Sequence, residues 1–302
     1  MKHGGELSAL LTAIFWTVTA LAFEASSKRI GSMVVNLFRL IAGFIFLTLF
    51  AWVYRGLIFP VDATSRAWFY LIISGLIGFS FGDLCLFQAF VVIGARISML
   101  LMALAPPLTA LISWIVLGET MTIKSWIGMA LTMNGVTMVV LTREGSKEKL
   151  NIFRQLKFKY PFWGILLGLG AAVGQAVGLV LSKYGMRGYN AFASAQIRIL
   201  AGIAGFILAF FIFGQWKKAY RSLSNHKALV QLSVGAFFGP FLGVSFSLLA
   251  IQMTSTGIAS TIMAIVPVLI ILPSVILFKE KVTVKEITGA ILAVAGVGIF
   301  FL

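Results

Sequence analysis

The sequence predicts an all-α integral membrane protein, with ten transmembrane helices arranged as two inverted five-helix repeats. Three observations predict it. The chain has 302 residues, of which 60% are hydrophobic and only 11% charged; ordinary soluble domains carry about a quarter charged residues, and so few charges do not cover a soluble globule. The apolar residues fall in long blocks, many near the roughly 20 residues that cross a bilayer as a helix. The blocks also repeat, because Gly78–Leu141 slides onto Gly239–Leu302 without a gap at a shift of 161 residues.

Glycine, proline and glutamate carry that repeat, so shared greasiness does not explain it. The matched pairs include Gly78/Gly239, Gly82/Gly243, Pro106/Pro267, Glu119/Glu280, Lys124/Lys285, Gly128/Gly289 and Gly135/Gly296. Upstream, with small gaps, "RLIAG" at Arg39–Gly43 matches "RILAG" at Arg198–Gly202, and Ser27-Lys28 matches Ser182-Lys183.

The spans are placed at Leu7–Ala25, Met33–Tyr54, Trp68–Val92, Ile97–Leu117 and Lys124–Leu141 in the first half. In the second they lie at Phe162–Ser182, Ala191–Phe213, Leu229–Gln252, Gly257–Phe278 and Val284–Leu302. Each is expected to be helical, because backbone amides in hydrocarbon need partners within their own segment, and the alternation of a transmembrane barrel is absent. The longest polar stretch, "TREGSKEKLNIFRQLKFKY", divides the chain into a first repeat (1–141), a basic linker (142–160) and a second repeat (161–302). Each half has an odd number of spans, so the second enters the membrane from the opposite side, as in many secondary transporters.

The net charge of +15 sits mostly between the hydrophobic blocks. There Lys and Arg set membrane orientation, so the charge points to lipid rather than to nucleic acid. By parity, one side carries sixteen Lys or Arg and the side with both termini carries six. The positive-inside rule then places both termini extracytoplasmic, in a multi-pass protein of the plasma (inner) membrane. The start "MKHGGE" leads into a span too long and too poorly flanked for a signal peptide. Cys85 is the single cysteine, so no intrachain disulfide and no cysteine-rich metal site are expected. No HExxH, Walker or zinc pattern appears, and neither a metal, a cofactor nor an obligate protein partner is expected.

One stretch suggests an enzyme. "GFSFGD", Gly78–Asp83, matches the GxSxG pattern of serine nucleophiles, and an intramembrane lipid-acting enzyme using Ser80 and Asp83 is the alternative function. The repeat argues against it, since the partner "GPFLGV" keeps both glycines and loses the serine and the acid. A nucleophile elbow also needs a strand-to-helix turn, and the two histidines, His3 and His226, lie in polar segments. Glycines four apart on one helix face suit close packing in lipid.

The segments "ALAPPLTALISWIVLGETMTIKSWIGMALTMNGVTMVV" and "AIVPVLIILPSVILFKEKVTVKEITGAILAVAGVGIFF" resemble the two EamA-type domains of the drug/metabolite transporter superfamily. The shared pattern is a mid-span proline, a small-residue face, a Gly-Glu at the helix end, then a basic residue and a glycine-bearing final span. Lys279 replaces the glycine of the second pair. The resemblance covers nearly the whole chain. It implies a transporter of small organic solutes, such as amino acids or related metabolites, working by alternating access without a cofactor and with export as its direction.

Polar groups in hydrocarbon tend to face a wet interior, and that selects the candidate site. Asp83 and Glu24 are the two carboxylates within or at the inner ends of spans, and both are candidates for proton coupling; for Glu24 the competing reading is an interfacial pair with Lys28. The candidate solute-binding residues are Trp16, Asp83, Gln88, Met102, Gln175, Ser245, Ser260 and Met263. Pro106 and Pro267 break backbone hydrogen bonds mid-span, which marks spans 4 and 9 as kinked and cavity-lining. Arg39 and Arg198 read as residues that snorkel or cap a neighbouring helix, and Glu119 as an interfacial helix-end residue.

Overall fold

The computed structural model describes residues 3–143, 162–278 and 282–302. The linker lies outside the described residues except for Thr142 and Arg143, as do Lys279, Glu280 and Lys281. All regular structure among the described residues is helical. The first half comprises α1 (Gly4–Ile30), α2 (Ser32–Arg55), α3 (Ser65–Gly75), a π-helical segment (Leu76–Gly82), α4 (Asp83–Met102), α5 (Ala105–Leu117) and α6 (Ile123–Arg143). The second comprises α7 (Phe162–Met186), α8 (Ala191–Phe213), the short α9 (Trp216–Ser222), α10 (His226–Ala236) and a second π segment (Phe237–Gly243). It continues through α11 (Val244–Met253), α12 (Thr256–Met263), α13 (Val266–Leu269), α14 (Ile271–Phe278), α15 (Val284–Gly298) and a closing 3₁₀ turn (Ile299–Phe301).

Nine helical stretches among the described residues are long and apolar enough to cross a membrane, and α5 is a shorter apolar helix. Their ends have local causes. Thr64, Asn190, Asn225 and Ser255 each accept a hydrogen bond from the backbone N–H three residues on, which satisfies an orphan donor of the first turn. Thr283 and Glu286 form a full capping box at the start of α15. Gly56, Gly118 and Gly214 close α2, α5 and α8 in the left-handed conformation that glycine adopts without a Cβ penalty. Large apolar side chains such as Trp52, Ile115 and Phe211 remain exposed along the helices, as an outer face against lipid requires.

The structure differs from the sequence reading at the join of spans 3 and 4. A break was expected near Ile93–Arg96, but the backbone stays helical from Asp83 to Met102. The equivalent join in the second half is a true break, with Thr254 extended and Ser255 capping α12. The shift of 161 puts Gly94 where Ser255 stands, so the first half has no side chain there to start a new helix. The glycines of α7 mark its antiparallel packing on α3, the π segment and α4. A Cβ at Gly185 would meet Tyr70, one at Gly178 would meet Gly78, one at Gly174 would meet Gly82 and one at Gly164 would meet Ile93. One at Gly168 would meet Leu101. Glu119, after α5, lies level with Lys183 near the far end of α7.

The two halves meet in a self-complementary seam. Helix α6 packs on α15, with Gly128 against Gly296 and Gly135 against Gly289. In repeat terms each is one position meeting the other's counterpart, in both directions. At the centre Thr132 Oγ1, which donates to the Gly128 carbonyl of its own helix at 2.8 Å, also lies 3.5 Å from the Ala293 carbonyl, and these are the same position of the two repeats. Such a crossing, in which i meets j′ and j meets i′ on antiparallel helices, is the signature of a local twofold axis perpendicular to the helices. The small residues let the backbones touch, as close packing in lipid favours. The two chain ends come together too, with the His3 and Phe301 rings 5.8 Å apart.

Candidate functional site

The repeat also fixes the irregular backbone. The π segments Leu76–Gly82 and Phe237–Gly243 are 161 residues apart, residue for residue. So are the breaks at Ala103–Leu104 and Ala264–Ile265, each two residues before the expected proline. Pro106 and Pro267 are the second residues of the helices that follow, within the first turn, where the N–H has no intrahelical partner and the ring's φ suits a helix. π turns inside α-helices recur at functional sites. "GFSFG" and "GPFLG" are thus widened turns, each pressed on the first helix of the opposite half: Gly78 and Gly82 on α7, Gly239 and Gly243 on α1.

Several expected site residues gather around these features. Trp16 is half-buried with its indole edge against Gly243, where a Cβ would come within 2.6 Å of the ring. Gln175 is half-buried on α7, and its backbone N lies beside Gly82. Met263 is buried and Met102 half-buried at the matching helix breaks. Ser260 is buried and its hydroxyl donates to Thr109 Oγ1 at 3.4 Å, joining α12 to α5 across the halves. Ser245 is buried, but its hydroxyl is spent on the Phe241 carbonyl of its own helix at 2.6 Å.

Two expected residues stand apart. Gln88 is exposed on α4. Glu24 is exposed and pairs with Lys28 Nζ at 2.6 Å, one turn on, which is the interfacial arrangement. The structure does not bring either to Asp83. Trp114 and Trp163 are likewise exposed, as interfacial anchors are.

The ionic groups differ most from the sequence reading. Asp83, the first residue after the π segment, pairs with Arg39 Nη2, which reaches it from α2. The Arg39 guanidinium also lies over the Phe23 ring at 5.7 Å. Arg39 therefore does not snorkel; it reaches from α2 to an acid on another helix. Glu119 is no lone helix-end residue: it takes Lys183 at 2.5 Å and the backbone N–H of Thr256 at 2.7 Å. Lys183 also donates to the Thr254 carbonyl at 2.7 Å, and the Thr254 hydroxyl donates to Glu6 at 2.7 Å. This network ties α1, α5, α7 and the start of α12 together on the face that carries the chain ends. Gln196 is buried and holds Thr48 and the Ile58 carbonyl, at 3.0 and 2.8 Å.

Ser80 shows no nucleophile geometry. Its hydroxyl points at the Gly202 carbonyl at 3.4 Å, Asp83 is engaged by Arg39, and His3 lies beside Glu6 at the chain terminus. Among the described residues no three His, Cys, Asp or Glu side chains group as a metal site. Outside the spans, burial pushes the Asp62 carboxyl up, but the hydrogen bond from the Tyr189 hydroxyl and the nearby Arg55 outweigh it and hold the group below its ordinary value. Burial and the Asp62 contact push the Tyr189 phenol up.

Comparison with known proteins agrees with this architecture. A family model described as the EamA-like transporter family matches residues 3–141 and again 162–302. A solved structure titled only as the crystal structure of a protein superposes with a TM-score of 0.75 at 19% identity, covering 99% of this chain and 96% of the other. At that identity the likeness speaks for the fold alone. No curated protein matches the chain.

Proposed function

The chain belongs to the EamA-like transporter family, and from that premise we propose that it is a ten-helix secondary transporter of two inverted five-helix repeats. It moves amino acids or related small metabolites, in the export direction, across the plasma (inner) membrane. Both termini are extracytoplasmic, as the charge bias indicates. The motion is alternating access: two like halves of opposite orientation exchange conformations and open a site between them to each face in turn.

The observation that carries this reading is the seam, where Thr132 meets its own repeat counterpart, Ala293. Matching wide turns and matching breaks before Pro106 and Pro267 support it, because each half holds the same hinges. The solute site lies among Trp16, Asp83, Met102, Gln175, Ser260 and Met263. Asp83 is the coupling group. A proton on its carboxyl would release Arg39, and protonation and solute binding would then bias one equilibrium. Glu24 has no part in this, being exposed and paired with Lys28.

Counterflow with purified protein in liposomes, against a panel of amino acids, nucleosides and organic cations, tests the proposal. Flux of at least one class without covalent product is expected, with pH dependence that Asp83→Asn abolishes. No flux of any solute, or covalent turnover of lipid, would overturn it.

A further inference from the structure

Two arginines occupy matching places in the two halves, and only one of them is neutralised. Arg39 in "RLIAG" has Asp83 as its counter-charge. Arg198 in "RILAG" does not have the corresponding acid, because the repeat places Val244 where Asp83 stands. No carboxylate among the described residues pairs with Arg198.

Arg198 is nevertheless the more deeply buried of the two. It is 5% exposed, and its Nε has no hydrogen-bond partner. Its guanidinium lies over the Phe79 ring at 4.9 Å. Its Nη2 lies against Gly78 of the first wide turn, 3.3 Å from where a Cβ would stand. A buried charge without a partner is costly. Stacking on a phenyl ring offsets only part of that cost, because it supplies no counter-charge and no hydrogen-bond acceptor. An ionisable group kept in that condition within a membrane span is a functional group by default.

We propose that Arg198 is the anchor for a carboxylate of the transported solute, set in the first wide turn beside Phe79 and Gly78. The proposal rests on the transport reading and adds the substrate class to it. The planar fork of a guanidinium matches a carboxylate with two parallel hydrogen bonds, so the solute supplies the acid that the second half lacks. Phe79 holds the guanidinium plane from one side. Glycine at position 78 leaves room for Nη2, which a Cβ there would crowd at 3.3 Å.

The test uses matched competitors in the liposome counterflow assay: benzoate against benzamide, and phenylalanine against phenylalanine amide. Wild type is expected to be inhibited about tenfold better by the carboxylate of each pair. Arg198→Gln is expected to bring the ratio to about one, and Arg198→Lys to restore part of it. An arginine with a purely structural role would change both members of a pair alike and leave their ratio intact, and that result overturns the proposal. So does a wild type that does not distinguish the members, a measurement that needs no variant to fold. Absence of flux with every solute would instead refute transport itself.

Discussion

Thr132 and Ala293 hold the same position in the two repeats, and they touch: the threonine Oγ1 lies 3.5 Å from the alanine carbonyl oxygen. A contact between a residue and its own counterpart lies on the axis relating the halves, so the seam of α6 and α15 is where the duplication is most directly visible.

The seam has little room to spare. A Cβ at Gly135 would fall against the backbone of Ala293 and Gly289, which a rotamer change does not relieve. Gly135→Ala is therefore expected to destabilise the protein by about 1–3 kcal/mol, the usual range for overpacking. Gly298→Ala, where a Cβ meets nothing within 4 Å, serves as the control and should leave the melting temperature unchanged or raise it. Thermal unfolding in detergent reads both; equal effects would contradict the close approach.

Asp83 and Arg39 answer to a double-mutant cycle. Removing one partner leaves the other charged and partly buried, so Asp83→Asn should cost about 1–3 kcal/mol, below the full figure for a wholly buried pair because each side chain keeps some exposure. Asp83→Asn combined with Arg39→Met should recover much of that loss. If the double variant were as unstable as the sum of the single ones, the two side chains would not be coupled.

Glu119 and Lys183 hold the face that carries the chain ends. Glu119→Gln loses the ion pair and weakens the tie to the Thr256 N–H. With about 1 kcal/mol at stake, opening on that face should increase roughly fivefold, at 1.4 kcal/mol per factor of ten. The readout is labelling of Ser260→Cys by a membrane-impermeant thiol reagent, with Cys85→Ser as background. Unchanged labelling would show that the network does not restrain this face.

Asp62 accepts from Tyr189 and pairs with Arg55 in the loops outside the spans. Its depressed carboxyl pKa stabilises the fold above the unfolded carboxylate value, and that contribution disappears as pH falls through the lower folded value. Asp62→Asn should therefore lower stability near neutral pH by no more than about 1 kcal/mol, given the exposure of the pair. Melts of the two proteins should converge in acid. A difference that persists at pH 2 would mean the effect is not ionic.

Hydropathy made the spans legible, and glycine, proline and glutamate made the repeat legible, because each acts through local backbone chemistry. Pro106 and Pro267 stand by the breaks for the same reason. The π segments were not legible: a turn widened by tertiary packing has the same composition as an ordinary one, and Gly78 and Gly82 announced only the close approach. Asp83 was recognisable as an interior acid, while its partner was not, because Arg39 reaches it from another helix and a single arginine near a span end reads equally well as one bound for the headgroups. Glu119 was misread similarly. Its partners, Lys183 and Thr256, come from the other half, and no spacing in the sequence joins them. Gln88 looked like a companion of Asp83, yet five residues along an α-helix turn a side chain well away from its predecessor.

The seam has a consequence for how the chain could be cut. The first helix of each half packs on the other half, and α6 and α15 grip each other through backbone, so cohesion does not depend on covalent continuity at the midpoint. Residues 1–143 and 162–302 produced as separate polypeptides have every surface they need to find one another in the bilayer, and a severed molecule should reassemble as a heterodimer.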